Sequence, residues 1–405
     1  MKKGSLSSYF EGVAAKHLSA VEANPIRSNQ HEFNGINPLK KIFGINKKQF
    51  KSKFIYLNDS EDEPLVSEGF LTWYDSRENQ PKRSSEFRLY FPTTQVSMCA
   101  AEGDFLLVAK RPDDSVLVII AEKDSTIENQ LKWLFGLSDL DHPGFSVQAE
   151  IESNQVKIDF ASKLILEHIG IEVEDDDDNF LDLLFEQFPE AKLGQFPSTK
   201  KFSEFAQNTV KELSVHDNPD DVLTAWMDRE EILFKTLEKH IVAERLVKGF
   251  GNDVDTFFDF AKSSMNRRKS RAGHALENHI EKIFQEKKIR YSRGKTTEGK
   301  NKPDFIFPDI ESYRTSSFDP AKLIMLAAKL SCKDRWRQIL TEAQRIEYKH
   351  LLTLEPSISQ HQLEEMKTSK VQLIVPRSFL KSYTPQQAKD LMTFTSFIDL
   401  VRNCQ

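Results

Sequence analysis

Apolar and polar residues alternate through Phe87-Arg88-Leu89-Tyr90-Phe91, which predicts a strand that Pro92 ends. Two nearly continuous apolar runs follow, Asp104–Ala109 and Ser115–Ala121, split by the turn residues Pro112-Asp113-Asp114. From Thr126 to Leu137 the spacing becomes helical, with Ile127, Leu131, Trp133 and Leu134 apolar. The first part of the chain therefore reads as a small barrel-like β domain with peripheral helices. Residues 150–215 are mixed, broken by Pro189 and Pro197, and contain Glu174-Asp175-Asp176-Asp177-Asp178, which is too charged to pack. This stretch reads as an acidic hinge with some helix. It is either a solvated connector or a mimic of DNA phosphates that covers a basic cleft.

Beyond residue 218 the pattern changes. Helices are predicted from Asp220 to about Val247 and from Val254 to about Lys262. After a basic linker, Gly273–Gln285 reads as an amphipathic helix with Leu276, Ile280, Ile283 and Phe284 on one face. Short strands then alternate with helices: Asp304–Phe307, Leu323–Cys332, a helix from Arg335 to about Tyr348, His350–Leu354 and Val371–Val375. That order predicts a mixed α/β core. No internal repeat is visible.

With 405 residues, 39% hydrophobic and 29% charged, the chain suits two or three folded domains rather than a disordered segment. No apolar run is long enough to span a membrane, and no apolar run follows Met1-Lys2-Lys3-Gly4-Ser5 as a signal peptide requires. Cys99, Cys332 and Cys404 are too few and too scattered for a disulfide framework or a zinc knuckle, so a reducing cytoplasm is expected. The net charge of −6 conceals an asymmetry: residues 150–192 sum to −10 and residues 262–349 to +10. A basic block in one domain beside an acidic block in another points to a polyanion, or to two solvated faces.

Chemistry concentrates in residues 266–345. In Lys302-Pro303-Asp304-Phe305, an acid stands at the mouth of a short apolar strand, where a hard cation could reach it; Pro-Asp is also an ordinary turn. In the strand Leu323–Lys333, alternation places Lys329, Ser331 and Lys333 on one face. Such lysines either snorkel to solvent or serve a site. On the following helix Trp336, Ile339, Leu340, Ala343 and Ile346 form a buried stripe with Glu342 beside it, aimed at the strand end or paired with Arg337 or Arg345. Glu277 accompanies Leu276 on the preceding helix. Phosphodiester hydrolysis calls for these groups, because carboxylates bind Mg²⁺ and a lysine stabilises developing charge and helps deprotonate water. Asp304 and Glu342 are the expected metal ligands, Lys329 the residue at the attacking water, and Glu277 an outer or second-metal carboxylate.

The Asp304 and Lys329 pair resembles the PD-(D/E)XK nuclease superfamily. That pattern places an acid two residues before the lysine, where this chain has Ala327 before Lys329 and Ser331 before Lys333. One branch of restriction enzymes supplies the acid from the following helix, as Glu342 would. Asn266–Gly273, Lys302–Phe305 and above all Cys332-Lys333-Asp334-Arg335-Trp336-Arg337-Gln338-Ile339-Leu340 resemble that branch, the EcoRII-like type II restriction endonucleases. The resemblance runs through most of residues 218–395. It implies Asp304, Lys329 and Glu342 as the catalytic set, with Lys333 the competing lysine. It also implies Lys333, Asp334 and Arg335 as readers of bases. Lys and Arg donate to guanine and Asp accepts from cytosine, so a site containing CC/GG is expected. Arg267, Arg268, Lys269 and Arg271, with Arg337, are expected at phosphates.

The first half is similar to the DNA-binding effector domain of the same family, through His17–Ala20, Ser28–His31 and Thr72–Arg77. That implies a B3-like β pseudobarrel gripping DNA with two arms, about Lys16–His31 and Arg77–Arg88, and with Lys16, His31, Arg77, Lys82, Arg83 and Arg88 as contacts. The expected organisation is multidomain α+β. Residues 1–150 form the B3-like domain, 151–217 an acidic connector, and 218–405 a restriction-endonuclease-like α/β catalytic domain with a mixed sheet. The implied protein is a homodimer that cuts double-stranded DNA with Mg²⁺, restrained by its first domain. The alternatives are a nuclease that requires modified DNA, and a DNA-binding regulator with a nuclease fold that no longer cuts.

Overall fold

The computed structural model describes residues 5–23, 31–61, 63–80, 82–137, 144–148, 151, 158–173, 180–332 and 335–405. The chain forms two compact units, Met1–Glu174 with Pro356–Gln362, and Asp175–Glu355 with Leu363–Gln405.

The first unit is built on eight strands: β1 (Gly12–His17), β2 (Glu32–Asn34), β3 (Lys48–Leu57), β4 (Leu65–Asp75), β5 (Phe87–Tyr90), β6 (Phe105–Lys110), β7 (Val116–Ala121) and β8 (Ser146–Gln148). Their order in the sheet is β2-β5-β4-β3-β7-β6-β1-β8. Every neighbouring pair is antiparallel except β3 and β7. The turn read at Pro112–Asp114 closes the β6–β7 hairpin, with Asp114 at φ 67° and Arg111 N–H bonded to the Ser115 carbonyl. Because side chains alternate, the apolar runs of β6 and β7 feed two cores. Phe105, Leu107, Ala109, Leu117 and Ile119 join one, and Leu106, Val108, Val118 and Ile120 the other. Pro356–Gln362 belongs to this unit through hydrogen bonds of Thr126 and Gln130 to Ser359, Gln362 and Pro356.

The expected connector over 151–217 differs in the structure. Helix Phe160–His168 is N-capped by Asp159, and Ile158, Ile165, Leu166, Ile169, Ile171 and Val173 pack into the first unit's core. Helices Phe180–Gln187 and Thr199–Thr209 belong to the second unit. There Leu184, Phe188, Phe202 and Ala206 pack on Leu233, Phe234, Leu237 and Ile241. The acidic surplus masked apolar residues at helical spacing on either side of it. The run Glu174–Asp178 lies outside the described residues.

The second unit contains a helical hairpin, Pro219–Lys248 and Val254–Glu286, and a six-stranded sheet ordered β14-β13-β12-β11-β10-β9. The strands are β9 (Ser292–Arg293), β10 (Phe305–Phe307), β11 (Ile324–Lys329), β12 (Lys349–Thr353), β13 (Val371–Val375) and β14 (Met392–Thr393). β11 to β14 run parallel, and β10 is antiparallel to both β9 and β11. Phe284 ties the second long helix to this sheet, with ring centroids 5.3 Å from Phe305 and 5.2 Å from Phe307.

Three expectations change here. The basic stretch is no linker: Arg267–Arg271 lies inside one continuous helix from Val254 to Glu286, since Arg and Lys are good helix formers and no proline interrupts. β11 ends at Lys329, so the alternation that grouped Lys329 with Ser331 stops there. The helix expected to Tyr348 stops after Gln338, passes through one 3-10 turn, Ile339–Thr341, and becomes a loop with Ala343 at φ 45°. Carbonyls that a longer helix would use are bonded instead to side chains. Asn301 takes that of Thr341, and Lys349 takes those of Glu342, Ala343 and Ile346.

Candidate active site

Asp304 immediately precedes β10, and Lys329 ends β11. The antiparallel register pairs Phe305 with Leu326, which sets Asp304 opposite Ala327. One carboxylate oxygen of Asp304, Oδ2, accepts both the Ala328 N–H at 2.8 Å and Lys329 Nζ at 3.0 Å. Both side chains are mostly covered yet reach solvent. The parallel pairing of β11 with β12 holds Lys329 level with Thr353.

Glu342 completes the group. It follows the 3-10 turn with extended backbone, and its carboxyl is pushed above the ordinary range by burial first and then by the charge of Asp304. Lys329 and Lys349 act in the opposite direction. Two carboxylates whose charges oppose each other, with Lys329 bonded to one of them, make a site whose repulsion a hard divalent cation would relieve. Among the described residues, no group of three or more His, Cys, Asp or Glu is placed to hold a metal. Asp304 and Glu342 are oxygen donors of the kind a hard divalent cation takes, through one or two carboxylates.

Glu277 is elsewhere engaged. Arg293 Nη2 binds it at 2.9 Å while Nη1 binds Glu281 at 2.6 Å and Asn278 at 2.9 Å. The charges acting on Glu342 do not include it. Its apolar-helix context gave no sign of Arg293, which arrives from β9.

Lys333 and Asp334 lie outside the described residues. Arg335 is exposed, and its N–H donates to the Cys332 carbonyl at 2.7 Å. Cys332 is fully buried, which pushes its thiol pKa up, and its N–H is held by the Glu355 carboxylate. Arg337 pairs with Glu365 at 2.9 Å and lies 4.7 Å over the Trp336 ring.

The basic helix segment divides. Lys269 is exposed. Arg268 remains largely exposed while pairing with buried Glu238 at 2.6 Å, and Arg267 lies 4.3 Å over Phe196. Arg271 is only 7% exposed, 4.5 Å over Phe202 and 5.0 Å over Phe234, and bonds the Pro197 carbonyl. Burial lowers its pKa, against the pull of Glu230. The helical period that leaves Lys269 outside turns Arg271 inward, away from any phosphate.

In the first unit the expected DNA contacts also divide. Lys16 is buried, paired with Glu22 at 2.7 Å. His31 is half-buried, with Nδ1 covered and lacking a hydrogen-bond partner. Arg88 is held at 2.7 Å by both Glu32 and Glu86, and Arg77 by Glu86. Lys82 and Arg83 are exposed. Part of the first expected arm, residues 24–30, lies outside the described residues.

Sequence reasoning missed the supports of this site. Glu298 receives the Tyr313 hydroxyl at 2.6 and 2.7 Å and the Gln344 N–H at 3.3 Å. Asn301 donates to the Thr341 carbonyl at 2.8 Å. These bonds tie the loop carrying Asp304 to the loop carrying Glu342. The one readable signal was Lys349, a charge placed directly before an apolar strand.

Comparison with known proteins places these residues in context. The family model described as EcoRII C terminal matches residues 234–398, which include Asp304, Lys329 and Glu342. The type II restriction enzyme EcoRII of Escherichia coli is 42% identical over 205 residues, 50% of each chain, so the chain spans about half the length of the curated relative it matches. Among solved structures, metal-depleted Ecl18kI in complex with uncleaved, modified DNA aligns with TM-score 0.42 and 16% identity. It covers 54% of this chain and 82% of that one. The PspGI restriction endonuclease–substrate DNA complex aligns with TM-score 0.42 and 18% identity, over 52% of this chain and 93% of that one. In sequence, residues 234–398 are similar to the C-terminal domain of EcoRII-like restriction enzymes.

Proposed function

We propose that the chain is a type II restriction endonuclease that hydrolyses phosphodiester bonds of double-stranded DNA with Mg²⁺. The observation that carries this reading is the meeting of Asp304, Lys329 and Glu342, from three separate segments, inside the stretch similar to EcoRII. Asp304 and Glu342 would hold the cation, which when bound would screen the scissile phosphate and acidify water. Lys329, already oriented by Asp304, would face the attacking water and neutralise charge developing on the phosphate. Arg335, with Lys333 and Asp334, would read a CC/GG-containing site. Lys269, Arg268 and Arg267 remain the phosphate contacts of this reading, joined by Arg337.

The proposed assembly is a homodimer, since one chain supplies one such site and two strands must be cut. The tip of the helical hairpin supports it: Val247 is 88% and Phe258 63% exposed, with Leu246, Val254 and Phe257 beside them. Exposed Lys248, Lys262, Asp255 and Asp259 flank this surface with both signs of charge, which is compatible with a self-complementary contact with a second copy. The first unit, read as a B3-like pseudobarrel, would bind DNA through Lys82 and Arg83 and regulate cutting. A cytoplasmic location follows from this reading.

Plasmid cleavage tests the proposal. With Mg²⁺ the full chain should give discrete bands from unmethylated DNA and none when its recognition cytosines are methylated. Cutting confined to methylated DNA would replace it with a modification-dependent nuclease. Binding without cleavage by any divalent metal would replace it with an inactive regulator.

A further inference from the structure

Lys349 opens β12 with 5% of its surface exposed. An ammonium has three N–H donors and no acceptor. Here Nζ donates to the carbonyl oxygens of Glu342 at 2.6 Å, Ala343 at 2.7 Å and Ile346 at 2.6 Å. All three acceptors lie in the loop that presents Glu342. Ala343 adopts φ 45°, a left-handed conformation that is unfavourable for an alanine and persists where surroundings enforce it. The convergence of carbonyls on one buried cation supplies that enforcement. Burial lowers the Lys349 pKa, and the Glu298 and Glu342 carboxylates oppose the shift.

We infer that Lys349 is a positioning residue for the reaction, fixing the loop so that the Glu342 carboxyl stands against Asp304 and Lys329. This rests on the nuclease reading. The loop has other braces, Asn301 on Thr341 and Glu298 on Gln344, but neither bonds the backbone of Glu342 itself. Arginine would not substitute, because a planar fork cannot direct its donors as a tetrahedral ammonium does.

The test combines two readouts on the full chain. Hydrogen–deuterium exchange compares wild type with Lys349→Met, which keeps the apolar stem, and with Lys349→Gln as the milder change should the first unfold. Amides of residues 341–347 should exchange at least about tenfold faster while β11 and β13 keep their protection. Cleavage rates and half-saturating Mg²⁺ are then measured for Lys349→Met, Glu342→Gln and the double variant. The Mg²⁺ requirement should rise about tenfold or more in Lys349→Met, and the two single losses should fail to multiply in the double variant. Exchange that is unchanged, or raised over the whole sheet, overturns the inference, as do losses that multiply. A wild type that never cuts would refute the nuclease reading, while the exchange data would still decide whether Lys349 holds the loop.

Discussion

Lys329 Nζ donates to Asp304 Oδ2 across 3.0 Å, bridging 25 residues of sequence at the junction of β10 and β11. The contact fixes the lysine's direction before any substrate arrives. Lys329→Met should therefore lower the single-turnover cleavage rate by about a thousandfold while leaving DNA affinity in Ca²⁺ nearly unchanged. A loss smaller than tenfold would move the catalytic role to Lys333.

His350 gives the second unit an acid sensitivity. Burial lowers its pKa from 6.5 to about 4, against a weaker pull from a backbone hydrogen bond to Met325. Between those values the unfolded chain holds the proton and the folded chain does not. Stability is thus full above pH 6.5 and lost as pH falls towards 4, by about 3 kcal/mol over the window. Urea titrations at pH 7, 6, 5 and 4.5 should show this slope, and His350→Leu should flatten it by that amount. An unchanged slope in the variant would show that other groups carry the sensitivity.

Arg271 and Lys269 stand two positions apart and should behave oppositely. Arg271→Ala removes a buried guanidinium that lies over two rings, bonds the Pro197 carbonyl and is drawn by the charge of Glu230. It should destabilise the protein by about 3 kcal/mol. Lys269→Ala should alter stability by less than about 0.5 kcal/mol and reduce the salt dependence of DNA binding by about one unit of slope. Denaturant melts and binding at several salt concentrations separate the two.

The exposed hairpin tip predicts the assembly. Phe258→Glu should shift the chain from dimer to monomer in sedimentation velocity and leave its melting temperature within a few degrees. A monomeric wild type, or a variant that stays dimeric, would place the dimer contact elsewhere or remove it.

Much of the α/β core was legible because local signals agreed. Strand Val371–Val375 coincides with its expected bounds, and the helix read from Asp220 spans Pro219–Lys248. The pairing of Asp304 with Lys329 was legible through the family resemblance, and the structure sets Asp304 just before β10 and Lys329 at the end of a β11 shorter than expected. The loop after Gln338 was not legible. Trp336, Ile339, Ala343 and Ile346 are all buried at near-helical spacing, yet long-range donors from Asn301 and Lys349 capture the carbonyls. Arg271 was misplaced because a run of cations discloses charge but not which members a helix turns inward. Glu277 was misplaced because Arg293 comes from another element. The acidic stretch hid the apolar positions of Phe160–His168 beneath its charge.

The most direct measurement is cleavage of one unmethylated plasmid with Mg²⁺ by wild type and Asp304→Ala, with DNA binding by both followed in Ca²⁺. Discrete fragments from wild type, none from the variant, and comparable binding by both are the predicted result. Undiminished cutting by Asp304→Ala would contradict the assignment of the site.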